Sequence, residues 1–185
     1  MREAALIAAM LAGCANAPPV PAPRLGTPVA EAAAARFDLD VFPDGRGLPS
    51  GRGNATQGAA LFASQCAACH GARGRGASAE ELVGGSEPLT SAYPDKTIGL
   101  YWPHATTLFD FIRRSKPMAA PGSLNADAVY ALVAWLLASD GVIAADAELD
   151  AASLAAVRMP NRAGFIGIDA QPSPKKDDPA GPSRR

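Results

Sequence analysis

Apolar positions recur at helical spacing in three stretches between residues 55 and 141. The clearest opens at Asn125 and closes at Gly141: Val129, Leu132, Val133, Leu136 and Leu137 follow the i, i+3, i+4 rhythm of a buried helix face. Asn125 is a suitable N-cap, Asp127 puts negative charge in the first turn, and Gly141 supplies the stop. The second stretch, Thr106 to Arg114, carries Leu108, Phe111 and Ile112, with Arg113 and Arg114 near the end where positive charge suits the helix dipole. Pro117 disfavours helix beyond Lys116. The first stretch, Ala55 to Ala67, has Leu61 and Phe62 on its apolar side and Gly58 one turn earlier. A glycine inside a helix costs about 1 kcal/mol against alanine, so Gly58 predicts the close approach of another element. No run of alternating strand residues stands out, and the expected fold is mainly α.

Composition divides the chain around this helical region. Residues 15 to 35 are nearly all small or apolar with repeated proline, the composition of an extended or flexible spacer. Residues 169 to 185, with Pro172, Pro174, Lys175, Lys176, Asp177, Asp178 and Pro179, offer too little apolar surface to fold. The organisation expected is a signal over 1–13, a spacer over 14–49, a folded domain with a C-terminal arm over 50–168, and a disordered tail over 169–185. At the start, a short apolar run behind Arg2 leads into Leu11-Ala12-Gly13-Cys14. That is the form of a bacterial lipoprotein signal, in which Cys14 is lipidated and the preceding residues are removed. Ala15-Asn16-Ala17 also offers small residues for an ordinary secretory cleavage. Both readings export the chain, and the first anchors it to a membrane surface facing the periplasm. A formal net charge of -1 gives no electrostatic support to nucleic-acid binding.

The candidate chemistry lies where the first helix ends. Residues 66 to 70 read Cys66-Ala67-Ala68-Cys69-His70. In a C-x-x-C-H segment two thiols add to the vinyl groups of a haem, and the following histidine coordinates the iron. A structural zinc site would bring a second closely spaced pair of ligands, but outside this segment the chain has only His104 and Cys14. A thioredoxin-type pair needs a strand-helix-strand setting, whereas these flanks read as helix and loop. One covalent haem c held by Cys66, Cys69 and His70 is therefore the expected cofactor. With Cys14 assigned to lipid, no cysteine remains for a disulfide.

A helix leading into C-x-x-C-H, a middle helix and a closing helix bearing Trp135 together resemble the class I cytochrome c fold. In that family the first and last helices cross at a glycine and two aromatics, positions that match Gly58, Phe62 and Trp135. The stretch from Lys96 through Tyr101-Trp102-Pro103-His104 to Arg114 is similar to the haem domain of SoxD, the cytochrome subunit of periplasmic sulfur dehydrogenase. It is similar also to cytochromes that accompany molybdenum sulfite-oxidising enzymes. Ala120-Pro121-Gly122-Ser123-Leu124, Val129-Tyr130-Ala131-Leu132 and Met159-Pro160-Asn161-Arg162-Ala163-Gly164-Phe165 extend the likeness. The resemblance implies electron transfer coupled to oxidation of a sulfur compound. Its implied donor is a molybdopterin oxidoreductase subunit, and its implied acceptor another cytochrome.

The distal ligand is open on sequence. A low-spin carrier usually takes a methionine sulfur opposite the histidine, which raises the potential by favouring ferrous iron. In the resembling family that methionine follows the Arg-Arg pair by two residues and precedes a proline; Lys116 stands there in this chain. Met118 lies in the loop after the second helix, where class I cytochromes place the ligand, and is the first candidate. Met159, able to fold back over the haem edge, is the alternative. Lys116 would have to bind as a neutral amine, while its ammonium dominates at neutral pH.

Other residues have supporting roles. Tyr101 and Trp102 suit a haem edge or a propionate, Arg73 and Arg75 suit propionates or a docking rim, and His104 reads as an exposed or capping residue. Leu82-Val83-Gly84-Gly85 has glycines that let backbone approach closely. No nucleophile or acid-base constellation can be assigned, so the chain reads as an electron-transfer subunit rather than a catalyst on its own. A haem with an open axial site that binds or converts a small ligand, and a standalone electron shuttle, are the alternatives.

Overall fold

The structure is a computed structural model that describes residues 25–34 and 37–166. The signal, Cys14 and the tail lie outside the described residues. The described residues fall into two units that divide between Phe37 and Asp38. The described part of the first holds one helical turn, α1 (Glu31–Ala34). All else described here belongs to the second.

Among its described residues, that unit is helical with one small sheet. In order come β1 (Arg52–Asn54), α2 (Ala55–Gln65), α3 (Ala67–His70), α4 (Ile98–Tyr101), α5 (Ala105–Ser115), α6 (Ala126–Ser139), β2 (Glu148–Asp150) and α7 (Ala151–Ala156). β1 and β2 pair antiparallel, with Gly53 opposite Leu149. The strands are three residues long, too short for alternation to register in the sequence.

α6 is the axis of the core. Val129 to Ala134, Leu136 and Leu137 are all buried, and a helix apolar on all sides is stable only where protein surrounds it. Asn125 Oδ1 accepts from the Ala128 amide at 2.9 Å, so the expected cap forms. At the other end Gly141, at φ +69°, sends its amide to Ala138 O while Val142 bonds Leu137 O. Those two bonds are the paired closure of a helix on a left-handed glycine. α2 starts on a reciprocal cap, with Asn54 Oδ1 accepting from Gln57 N at 3.0 Å and Gln57 Oε1 accepting from Asn54 N at 3.1 Å.

The crossing of α2 and α6 is as tight as Gly58 predicts. A Cβ at position 58 would overlap Ala131 O and lie 2.7 Å from Trp135 Cβ. Phe62 and Trp135 stack beside it, with ring centroids 4.1 Å apart. On α5 the buried face is Ala105, Leu108, Phe109 and Ile112. Phe111, expected inside with Leu108 and Ile112, is instead 44% exposed, and Phe109 is fully buried. The i, i+3, i+4, i+7 series from Ala105 includes 109 and leaves 111 on the adjoining face.

Residues 38–49, which composition groups with the spacer, lie against the helices. The Val41 amide donates to Asp110 Oδ1 at 3.0 Å, Arg114 pairs with both Asp40 and Asp110, and Pro49 O accepts from the Tyr130 hydroxyl at 2.9 Å. Val41 and Leu48 pack on the core. Unlike the Ala/Pro run before it, this segment carries the apolar and acidic side chains needed to dock.

Candidate haem site

α2 ends and α3 begins at Cys66, whose backbone (φ −124°, ψ −34°) breaks the helix for one residue. The one continuous helix expected through Ala67 is thus two. Cys66 N still bonds Phe62 O, and the Cys69 and His70 amides return to Cys66 O. This compact turn carries both thiols and the imidazole on one piece of backbone. Gly71, at φ +78°, then turns the chain back, so that Gly76 N bonds His70 O and Ala79 N bonds Cys69 O.

That return loop orients the histidine. His70 Nδ1 lies 2.9 Å from Glu80 O. A carbonyl only accepts, so Nδ1 carries the hydrogen of this pair and Nε2 keeps its lone pair for a metal. Glu80 contributes a backbone atom to this bond, and no side-chain pattern could have signalled it. Cys66 is half-buried and Cys69 exposed. Burial pushes the Cys66 thiol up, and the positive charge of Lys116 acts in the opposite direction.

The loop's far end is pinned by Asp140, the last residue before Gly141. Asp140 Oδ1 accepts from Gly84 N at 2.7 Å and Oδ2 from Gly99 N at 2.9 Å. Thr97 Oγ1 donates to Gly84 O at 2.7 Å, and both Leu82 and Val83 amides bond Gly74 O. Gly84, at φ +95°, also lies against the Arg75 guanidinium, where a Cβ would overlap it. The Leu82–Gly85 glycines therefore serve backbone turns and close packing, with Arg75 as one of the close neighbours.

The other wall is α5 and its flanks. Trp102 and Phe111 meet edge to face at 5.9 Å, and the Lys116 ammonium stands 5.1 Å from the Phe111 ring centroid. Lys116 is half-buried, whereas Met118 is 82% exposed. Met159 is 3% exposed within the main core. The arm beyond it is held by Asn161 Nδ2 donating to Tyr101 O at 2.7 Å, and Phe165 meets Tyr101 edge on at 5.3 Å. Arg73 and Arg75 line a cavity of about 290 Å³ with Val83, Trp135 and Ser139.

The donor set fits haem c: two thiols three residues apart, then an imidazole with Nε2 free. Two further atoms at the start of α5, His104 Nδ1 and Thr106 Oγ1, are buried without a hydrogen-bond partner. A buried polar atom left in that state is costly, and both groups are able to donate to a carboxylate such as a haem propionate. His104 sits at the N-cap position but makes no side-chain cap bond.

Comparison with known proteins follows the same lines. The cytochrome c family model matches residues 55–140. A chain in the crystal structure of the sulfane dehydrogenase SoxCD from Paracoccus pantotrophus is similar, with a TM-score of 0.73 and 34% identity over 88% of this chain and 85% of that one. No match was found among curated proteins. With that identity sustained along most of both chains, on helices that cross at Gly58 and deliver C-x-x-C-H to one turn, this chain belongs to the cytochrome c family and binds haem c covalently.

Proposed function

We propose that this chain is a periplasmic cytochrome with a single haem, passing electrons one at a time from a molybdenum sulfur-compound dehydrogenase to an acceptor cytochrome of the respiratory chain. A lipid on Cys14 tethers it to the membrane surface. One observation carries the reading: 34% identity over 88% of the chain to a chain of the sulfane dehydrogenase SoxCD.

Haem c, when bound, supplies an iron centre that cycles between two charge states. Everything else is the work of the polypeptide. Cys66 and Cys69 would hold the group through two thioether links, each thiol adding its sulfur and hydrogen across one vinyl without net oxidation or reduction. His70 would offer Nε2 to the iron, and the Glu80 carbonyl, by drawing on Nδ1–H, would make the imidazole a stronger donor. The exposure of Cys69 supports electron exchange through that edge of the site. Leu82 and Trp102, like Cys66, pack against the hydrophobic core, an apolar setting that limits reorganisation when charge changes.

The test is coexpression with a molybdenum sulfur-compound dehydrogenase subunit in a host competent in cytochrome maturation. A covalently haem-bearing chain, reduced by that subunit when a sulfur compound is added, is expected. Loss of membrane association in Cys14→Ser tests the anchor. A colourless product with free thiols, or a haem protein that no molybdenum dehydrogenase reduces, would overturn the reading.

A further inference from the structure

We infer that Lys116 is the distal ligand of the haem iron, its side-chain amine standing opposite His70 where most electron carriers with one haem place a methionine sulfur. This deepens the proposed function and rests on its haem site.

Three placements carry it. Lys116 follows the last turn of α5 with extended backbone (φ −125°, ψ 150°) while its amide stays bonded to Ile112 O at 3.0 Å. Its side chain is held back against the site: half-buried, with Nζ 5.1 Å from the Phe111 ring centroid and near enough to Cys66 for its charge to act on that sulfur. Cys66 is one of the two attachment points, so this cation lies within electrostatic reach of the haem-bearing turn.

The two methionines are placed differently. Met118 is 82% exposed, in a turn closed by Ala120 N on Pro117 O, and its thioether points to solvent. Met159 is 3% exposed in the core that includes Leu149 and Leu154, on the arm held by Asn161. Of the three candidates, Lys116 alone is half-buried at the end of α5 with its charge acting on Cys66, and its partner there is the Phe111 ring rather than a carboxylate. Asp110 on α5 and Asp40 beside it are engaged by Arg114.

Ligation requires a neutral amine. The ammonium proton passes to solvent as the nitrogen lone pair binds iron, with no change in oxidation state; proton release of this kind accompanies metal binding by other side chains. An amine is a harder donor than a thioether. It favours ferric iron, so the potential lies lower than methionine ligation would give.

The experiment compares the holoprotein with Lys116→Ala, Lys116→Met and Met118→Ala, each matured in the same host, by ferric absorption, electron paramagnetic resonance and potentiometry. The native protein is expected to be low-spin without the weak sulfur-to-iron band at the red end of the spectrum. Lys116→Ala should become high-spin and bind cyanide faster. Lys116→Met should stay low-spin, gain the sulfur band and rise in potential. Met118→Ala should match the native protein in every readout. A native sulfur-to-iron band, a high-spin native protein, or a low-spin spectrum unchanged in Lys116→Ala overturns the inference. These failures leave covalent haem intact, whereas a chain without haem would sink the proposed function itself.

Discussion

The carboxylate of Asp140 grips the amide of Gly84 at 2.7 Å and, with its second oxygen, that of Gly99 at 2.9 Å. One residue at the end of α6 thereby ties down two segments, the loop after the haem motif and the start of α4. Hydrogen bonds to a charged acceptor are worth more than neutral ones, and their loss strands two amides. Asp140→Ala is expected to destabilise the holoprotein by about 2 kcal/mol, read as a shift of the denaturant midpoint. Asp140→Asn keeps the shape but turns an NH2 toward one of the amides, so it should recover less than half of the loss. Native stability in Asp140→Ala would show that the two amides find other partners at no cost.

At the crossing of α2 and α6, Gly58 leaves no room for a methyl group beside Ala131 O. Overpacking of a rigid core costs about 3 kcal/mol when the neighbour is backbone. Gly58→Ala should therefore destabilise even though alanine is the better helix former, with the sign opposite to the about 1 kcal/mol gain seen at an exposed helical site. Thermal unfolding of the holoprotein checks it. Substituting Gly122, where a Cβ would meet nothing within 4 Å, is the comparison for glycine loss without a clash, though its φ of +75° carries its own strain.

Both of these features test how far the residues alone speak. Gly58, Phe62 and Trp135 are visible because a glycine breaking an apolar helical pattern has a short list of causes, and the helix ends at Asn125 and Gly141 follow from local capping chemistry. C-x-x-C-H is legible because three rare residue types at fixed spacing serve one chemistry. Asp140 is harder to read: its role lies 56 residues away at Gly84, and nothing near it in the chain marks that partner. Glu80 is hidden for a different reason, since the atom that orients His70 is a carbonyl every residue has. The packing of 38–49 escapes a composition reading because Val41, Leu48 and Asp40 are too few to change the average. Phe111 and Phe109 are confused because both fit a loose apolar pattern, and only the phase of the helix separates them.

The two thioethers should be separable. Cys69→Ala retains Cys66 and His70, so maturation is expected to give a haem joined by one bond, with one vinyl group intact. An intact vinyl extends the conjugated ring, and the α band of the pyridine complex should move to longer wavelength than in the native protein. Mass spectrometry should find haem still covalently held. Cys66→Ala should mature less well, because the Cys66 side chain packs against the core whereas that of Cys69 is exposed. Equal yields of the two variants would argue against a special part for Cys66.

Tyr130 links the N-terminal segment to α6, its hydroxyl donating to Pro49 O at 2.9 Å from a side chain with no exposed surface. Burial pushes its ionisation up to about 12, with the Asp150 charge adding to the rise and Arg113 opposing it. In the unfolded chain a tyrosine ionises near 10. The folded state therefore keeps a proton that the unfolded state releases between these values, so Tyr130's contribution is complete below about pH 10 and declines as pH rises toward 12. Tyr130→Phe deletes one hydrogen bond and should cost about 1 kcal/mol at neutral pH. It should also flatten the alkaline fall, so that the stabilities of the two proteins converge above pH 10. Denaturant unfolding followed across that range measures both effects at once, and parallel curves for the two proteins would show that Tyr130 does not titrate on unfolding.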